Sequence, residues 1–591
     1  MSDFRVDLDE ITFNLRHVAD LDGLVKLEEF EHVESDVVDQ VLAEAARFAE
    51  EVIAPLNRVG DTEGSRRLDD GSVATPTGFR DAYDAYVQAG WGSLSIDAEY
   101  GGGGVPHLVG LAVEEMFSAA CLSWPLCPLL THSAINMLSA HGTEDQKARY
   151  LPQMATGAWT GTMNLTEPQA GSDLGAVAAR ALPQPDGSYR LHGTKIFITY
   201  GEHDLADNIV HLVLARIPGA PPGTRGISCF LVPKHLPLAD GSSGARNDVR
   251  CVSIEHKLGI HASPTCVMAY GDDEGAVGFL VGEENGGMRA MFTMMNHARL
   301  SVGLEGVAVA ERSYQQALAY AHERRQGRAP GAPPGESSAI IDHPDVRRML
   351  LDMRSTTSAM RGLAYRNADA IDRAAHTADA ADRRAADEQA AVLTPLTKAW
   401  ATDTGCELAS IGLQVHGGMG FIEETGSAQH YRDARITPIY EGTNGIQAAD
   451  LVGRKLSMRD GGAVRDHLSQ VKNTADALDG LGDLAPVRRH LQAALDATGE
   501  ASDWLLAAGP AQRLAGADAF LKMLAVTTGA AALADGSLAA KRLGDPDRAA
   551  DRAILARFFA ANRLSAVPGL FAAVTEPADD LAAAAQRILA S

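Results

Sequence analysis

Between about residues 162 and 283 the chain consists of short β-branched runs, Ile196-Phe-Ile-Thr199, Ile209-Val-His-Leu-Val213 and Ile227-Ser-Cys-Phe-Leu-Val232, separated by Pro, Gly and Asp. Runs of that length and composition predict a compact β domain. On both sides the apolar spacing is helical. Val38, Val41, Leu42, Ala45, Phe48 and Val52 recur on one face and stop before Pro55. Thr143 and Gln146 form a capping box ahead of Tyr150 and Leu151. Helical periodicity returns from Gly286 to Arg328, and Ala329-Pro-Gly-Ala-Pro-Pro-Gly-Glu336 cannot continue it. Ala-rich helical segments resume on both sides of Asp382-Arg383-Arg384 and, beyond about residue 456, run to the end with breaks at Gly509-Pro510 and Gly544-Asp-Pro546. The expected class is α+β. Its parts are an extension over 1–34, a helical domain over 35–161, a β domain over 162–283, a four-helix bundle over 284–455 and an added helical domain over 456–591, which must bury one amphipathic face.

At 591 residues several domains are expected. A net charge of −25 opposes a broad nucleic-acid or anionic-membrane surface. The cysteines at 121, 127, 229, 251, 266 and 406 form neither a C-x-x-C pair nor a disulfide framework, which points to a reduced, cytoplasmic setting. The acidic start, Asp3, Asp7, Asp9 and Glu10, does not resemble a secretory signal, and no segment reads as the roughly 18 apolar residues of a membrane span. Gly101 to Gly104 is a loop signal without the Gly-Lys-Ser/Thr of a phosphate loop. No metal-ligand cluster is expected.

The chemistry centres on Glu441, in Arg435-Ile-Thr-Pro-Ile-Tyr-Glu-Gly-Thr-Asn-Gly-Ile-Gln447, a lone carboxylate between an apolar run and a small polar turn. Apolar surroundings strip hydration from a carboxylate and raise its basicity, which suits a general base. The alternative is a helix-start carboxylate close to the N–H groups of the turn.

Four further segments join Glu441 in resembling the acyl-CoA dehydrogenase family over about residues 35 to 455. Leu165-Thr-Glu-Pro-Gln-Ala-Gly-Ser-Asp173 is similar to its flavin-binding signature, with Asn164 where a smaller residue is usual. Lys195-Ile-Phe-Ile-Thr199 resembles its Lys-x-Trp-Ile-Thr strand, with Phe197 for tryptophan; ordinary core packing is the alternative for that ring. Gln414-Val-His-Gly-Gly-Met-Gly-Phe421 resembles its Gln-x-x-Gly-Gly-x-Gly element, whose glycines let backbone N–H groups approach phosphate; Gln429 departs from the basic residue often found beyond it. Tyr320-Ala-His-Glu-Arg324 resembles its Tyr-Ala-x-x-Arg helix end.

The resemblance implies an FAD enzyme that removes hydrogens from the α and β carbons of an acyl-CoA to give a trans-2-enoyl-CoA, with Glu441 as base. The thioester oxygen is held by the Glu441 N–H and an FAD hydroxyl, and electrons pass to an electron-transferring flavoprotein. It implies cofactor contacts from Met163, Leu165, Thr166, Gly171, Ser172, Phe197, Thr199, Arg324, Gln414, Gly417, Gly418 and Thr443. Substrate contacts come from Ser172, Asn296, Arg299, Tyr440 and Gly442, with Asn296 and Arg299 at the CoA nucleotide. Motifs one and three then face different active sites, which implies at least a homodimer. The leader Asp7-Leu-Asp-Glu-Ile-Thr-Phe-Asn-Leu-Arg16 and the helical tail resemble a long bacterial branch that includes 3-methylmercaptopropionyl-CoA and broad-range fatty acyl-CoA dehydrogenases, implying short or medium acyl groups, the methylthio acid among them. Two readings stay open beside it: an acyl-CoA oxidase using oxygen, and a flavin-containing DNA-associated relative, disfavoured by the acidic charge.

Overall fold

The computed structural model describes residues 4–238 and 240–589; Met1 to Asp3, Ala239, Ala590 and Ser591 lie outside it, and Asp3 of the acidic start with them. The chain forms two compact units. One comprises residues 47–105 and 120–298, the other residues 4–46, 106–119 and 299–589.

The first unit is built on an eight-stranded sheet of β1 (Trp159–Asn164), β2 (Arg180–Pro183), β3 (Tyr189–Thr199), β4 (Asn208–Ala215), β5 (Ser228–Pro233), β6 (Val249–Ile254), β7 (Thr265–Tyr270) and β8 (Ala276–Val281). The order is β6-β7-β3-β8-β5-β4-β1, with β2 paired to β3. All pairings are antiparallel except β1 with β4, which runs from Trp159 opposite Asn208 to Asn164 opposite Val213. β1, β4 and β5 are buried along their whole length, the reason the last two read as unbroken apolar runs. A Cβ at Gly161 of β1 would lie 2.5 Å from the methyl of Ala134, so the helix Leu126–His141 crosses the strand there in direct contact. The expected capping box is present: the Thr143 hydroxyl accepts from the Gln146 N–H, and the Gln146 carboxamide from the Thr143 N–H, opening the helix Glu144–Ala155. Helix Ser35–Phe48 continues as a π-turn over Ala49–Ile53 before Pro55.

The second unit is helical. Its framework is α1 (Gly287–Glu323, whose first twelve residues belong to the first unit), α2 (Pro344–His376), α3 (Ala380–His416) and α4 (Ala517–Leu543). α1 stops at Glu323, five residues before the expected end at Arg328, because the next residues bond as a ribbon: Gln326 N–H to the Ser338 carbonyl and Ser338 N–H to the Gly327 carbonyl. The break between α2 and α3 falls at residues 377–379, upstream of Asp382, where the Asp379 carboxylate caps two N–H groups of α3. α1 and α3 cross on small residues. A Cβ at Gly306 would come 2.2 Å from the Ala401 carbonyl oxygen, and one at Gly405 2.7 Å from that of Gly306.

The tail packs on this framework through one apolar core shared by α2, α3, α4 and the helices Ala485–Ala507 and Pro546–Asn562. Two stretches, Ala517–Leu543 and Pro546–Thr575, are long and apolar enough to cross a membrane by length and composition, which corrects the expectation that no segment is. In the first, 83% of the most apolar window is buried inside the protein, as for a core helix. The leader joins the same unit through charge. Glu10, on the helix Leu8–His17, pairs with Arg552 at 2.6 Å, accepts from the Ser358 hydroxyl at 2.8 Å, and shares a buried cluster with Arg354, Arg361, Glu115 and Glu311. Burial opposes its charge, yet the three arginines bring its pKa down to about 2.

Glu10→Ala leaves guanidinium groups buried without their partner, so it should destabilise the second unit by about 3–5 kcal/mol, measured by chemical denaturation at pH 7. Because the folded pKa lies below the unfolded one, the contribution is fully present above pH 4.5 and is lost as pH falls toward 2. Equal stability of the two proteins at pH 7 would show that the cluster does not hold the leader.

Candidate active site

In the second unit the chain turns sharply after a short apolar stretch. Glu441 adopts φ 55° and Gly442 φ 86°. A left-handed conformation is costly for a residue with a long side chain and persists only where its surroundings enforce it. Here they do. The Lys398 ammonium, on α3, donates to the Gly442 carbonyl at 2.8 Å and to Asn444 Oδ1 at 2.9 Å, while Asn444 Nδ2 donates back to α3 at the Ala399 carbonyl (3.1 Å) and Thr402 Oγ1 (3.0 Å). The Glu441 carbonyl accepts from Arg299 Nε at 3.4 Å and Gln447 Nε2 at 3.3 Å. The positive φ favours glycine at 442; a Cβ there would also displace the end of the Gln447 side chain, whose Nε2 lies 2.9 Å away. The helix-start alternative for Glu441 fails: the cap of the helix Asn444–Asp450 is Thr443, whose hydroxyl accepts from the Ile446 N–H.

The electrostatics of the turn favour a base. Burial raises the pKa of Glu441, and the charges of Arg299 and Lys398 hold that rise in check. Burial in turn brings Lys398 down to about 8 and lowers Arg299. Among the described residues the Glu441 backbone N–H has no hydrogen-bond acceptor, so it is available to an oxygen of a ligand. Tyr440 is held by a hydrogen bond from its hydroxyl to the buried carboxylate of Glu305.

The same unit brings the third and fourth motifs together. Tyr320 and His416 stack with ring centroids 4.5 Å apart, linking the end of α1 to the end of α3. Arg324 lies just past α1 and is exposed, as are Gln414, Gly417 and Gly418 where α3 stops. Gln429 is buried and donates to Asp433 within its own helix.

The first unit assembles motifs one and two. Lys195 of β3 is buried, pairs with Glu167 Oε1 at 2.7 Å and donates to the Leu165 carbonyl at 3.0 Å; the Ile196 N–H reaches the Thr166 carbonyl at 2.9 Å. The Glu167 carboxylate also accepts from the N–H groups of Ala178 and Ala179. Burial lowers Lys195 to about 8. Beside this pair the register of β3 against β7 slips, so that Ile196 and Phe197 stand opposite the single residue Val267. The bulge places Phe197 at φ 60° with 58% of its surface exposed, which removes core packing as the account of that ring. Gly171 and Ser172 are exposed, Leu165, Thr166 and Thr199 half-buried, and Met163 buried. Asn164 is turned inward, its Oδ1 accepting from the Tyr270 hydroxyl at 2.7 Å, so its size does not obstruct the exposed side of the motif. Asn296 is exposed, while Arg299 is buried against the Glu441 turn. Lys398, Asn444, Gln447 and Glu305 were missed from sequence; a lysine and a glutamate on otherwise apolar helical faces were the available signals.

Comparisons with known proteins agree with this construction. Family models match in chain order: the acyl-CoA dehydrogenase N-terminal domain over residues 35–158, its middle domain over 162–273, its C-terminal domain over 285–456, and an acetyl-CoA dehydrogenase C-terminal-like domain over 467–585. The chain belongs to the acyl-CoA dehydrogenase family, with the helical, β and helical domains of that fold followed by an extra C-terminal domain; it is an FAD-dependent enzyme. It is 53% identical over 459 residues to the 3-methylmercaptopropionyl-CoA dehydrogenase of Ruegeria pomeroyi, covering 78% of this chain and 77% of that one. It is 36% identical to the broad-specificity linear acyl-CoA dehydrogenase FadE5 of Mycobacterium tuberculosis, over 84% of this chain and 82% of that one. In fold it matches Caenorhabditis elegans ACDH-11, solved in complex with C11-CoA, with a TM-score of 0.77 at 20% identity, over 95% of this chain and 93% of that one.

Loss of the Lys398 charge removes one of the two groups that restrain the Glu441 pKa. Lys398→Met should therefore, with Glu441 as the candidate base that acts only when ionised, move the acid limb of the flavin-reduction rate to higher pH. An unmoved limb in stopped-flow reduction from pH 5 to 8 would disconnect Lys398 from the base.

Proposed function

We propose that this enzyme dehydrogenates an acyl-CoA thioester across its α and β carbons, with Glu441 as the base that takes the α-proton. The observation that carries the reading is the Glu441 turn: a half-buried carboxylate of raised pKa, in an enforced left-handed conformation, beside an N–H with no acceptor among the described residues. As the α-proton leaves, negative charge develops on the thioester oxygen; a donor fixed at that position stabilises the transition state more than the substrate. The Glu441 N–H is the donor proposed here, and the product is a trans-2-enoyl-CoA.

The residues present fit FAD. A Cβ added at Gly171, Gly417 or Gly418 would meet nothing within 4 Å, so each backbone is open to a ligand, and the Phe197 ring is free to cover a flat heterocycle. We assign Met163, Leu165, Thr166, Gly171, Ser172, Phe197, Thr199 and Thr443 to the flavin side, Arg324 to the pyrophosphate, where a guanidinium can pair with two oxygens, and Gln414, Gly417 and Gly418 to the pyrophosphate of a neighbouring subunit's FAD. Bound there, FAD supplies the acceptor for the hydride that leaves the β carbon. Ser172, Asn296, Tyr440 and Gly442 are assigned to the substrate; Arg299, expected at the CoA nucleotide, is buried and donates to the Glu441 carbonyl, so it is reassigned to support of the turn.

Phe421 is 91% exposed beside exposed Met419 and Ile422, an apolar surface that a second copy would cover, which supports a homodimer. Free cysteines throughout the described chain favour a reducing, cytoplasmic setting. The divisions 1–34, 35–161, 162–283, 284–455 and 456–591 are retained as the domain organisation. An electron-transferring flavoprotein is the proposed oxidising partner, and short or medium acyl groups, with 3-methylthiopropionyl among them, the proposed substrates; the name of the Ruegeria relative supports the latter.

Glu441→Gln should retain FAD and acyl-CoA binding but slow anaerobic flavin reduction at least ~100-fold; near-normal reduction removes the base assignment. A series of acyl-CoA thioesters from butyryl to dodecanoyl, with 3-methylthiopropionyl-CoA included, should bleach the flavin fastest at the short end. Stoichiometric peroxide under air would mark an oxidase instead.

A further inference from the structure

Glu305 lies on α1 and is 1% exposed. One of its carboxyl oxygens accepts from the Tyr440 hydroxyl; the other, Oε1, is buried and has no hydrogen-bond partner among the described residues. Its charged neighbours are Glu441 and Glu114, of like sign, and Lys398, of opposite sign. Glu114 is itself engaged, accepting from the Ser301 hydroxyl at 2.8 Å. An ionised carboxylate with one oxygen unpaired in such a place would carry a large desolvation cost, whereas a neutral acid does not. Burial pushes Glu305 up to about 8, against the opposing hydrogen bond from Tyr440, in keeping with a proton held at neutral pH.

Tyr440 directly precedes the base, and the supports of the turn divide accordingly. Downstream of Glu441 they are Lys398, Asn444, Gln447 and Arg299. Upstream they are the backbone turn from Ile436 to Tyr440, the Pro438 carbonyl accepting from the Asn444 N–H at 3.1 Å, and the Tyr440 hydroxyl on Glu305. A side chain held at φ 55° needs restraint on both flanks, since relaxation of either lets the residue leave the left-handed region and swings the carboxylate away.

We propose that Glu305 is a positioning residue for the dehydrogenation, a buried neutral acid that anchors the Tyr440 hydroxyl and so fixes the upstream flank of the Glu441 turn. The proposal rests on Glu441 being the base. It needs an acceptor at position 305, not a charge, so glutamine should serve and leucine should not.

The test uses FAD-loaded full-length enzyme and butyryl-CoA in anaerobic stopped flow, which separates the limiting rate of flavin reduction from the apparent Kd. Tyr440→Phe, which deletes one oxygen, and Glu305→Leu should each slow the limiting rate about 10- to 100-fold while Kd changes less than about threefold, as expected when geometry is lost without loss of binding. The double variant should be no slower than the slower single one, because both act through one bond. Glu305→Gln should recover most of the rate. Unchanged rates in Tyr440→Phe, multiplicative losses in the double variant, or a Glu305→Gln enzyme as slow as Glu305→Leu would each overturn the proposal. Tyr440→Phe and Glu305→Gln decide the matter if Glu305→Leu does not retain FAD. A fast Glu441→Gln enzyme would instead reject the base itself, a failure distinct from slow Glu441→Gln beside fast Tyr440→Phe.

Discussion

The active site depends on one conformational constraint, the left-handed turn through Glu441 and Gly442. A carboxylate that must remove a carbon-bound proton needs to be short of water and fixed in direction, and both needs conflict with an unstrained surface loop. The turn reconciles them by drawing on side chains from three helices to hold it in place. Lys398 and Asn444 tie the turn to α3, Arg299 and Gln447 hold the Glu441 carbonyl, and Glu305 takes the hydroxyl of the preceding tyrosine. The same side chains set the charge balance, since Arg299 and Lys398 moderate the rise that burial imposes on Glu441. Geometry and pKa are therefore coupled here.

The first unit solves a parallel problem with the sheet. Its bulge in β3 turns Phe197 out of the layer beside the buried Lys195–Glu167 pair, which joins that strand to the motif after β1. An exposed aromatic ring and a run of small residues are thereby carried on a rigid frame. Elsewhere the long helices α1 and α3 can support the turn only because Gly303, Gly306 and Gly405 let their backbones nearly touch. The leader and tail contribute by buried charge and apolar packing to the same helical unit, so the added segment is part of its core.

Much of this was legible from residues alone. The three β-branched runs, the Thr143 box and the breaks at Gly509-Pro510 and Gly544-Asp-Pro546 depend on local chemistry, and the structure has them where periodicity put them. Expectations failed where distant partners decide. α1 ends at Glu323 because Ser338 pairs with Gln326 and Gly327, and only burial in the fold marks Ala517–Leu543, apolar enough by length and composition for a membrane span, as a core helix. Glu305 and Lys398 left little trace, each being a single polar residue on an apolar helical face whose partner lies more than forty residues away.

Sequence by itself determined the order of helical, β and helical segments and the family, and it singled out Glu441 beside Gly442 as the base to propose, because propensity, turn chemistry and motif spacing act over a few residues. Tertiary structure alone decided which cations face that carboxylate, that Phe197 stands outside the sheet, and that a second acid lies buried under Tyr440. Desolvation and hydrogen bonding are properties of the three-dimensional neighbourhood, and no spacing along the chain encodes them.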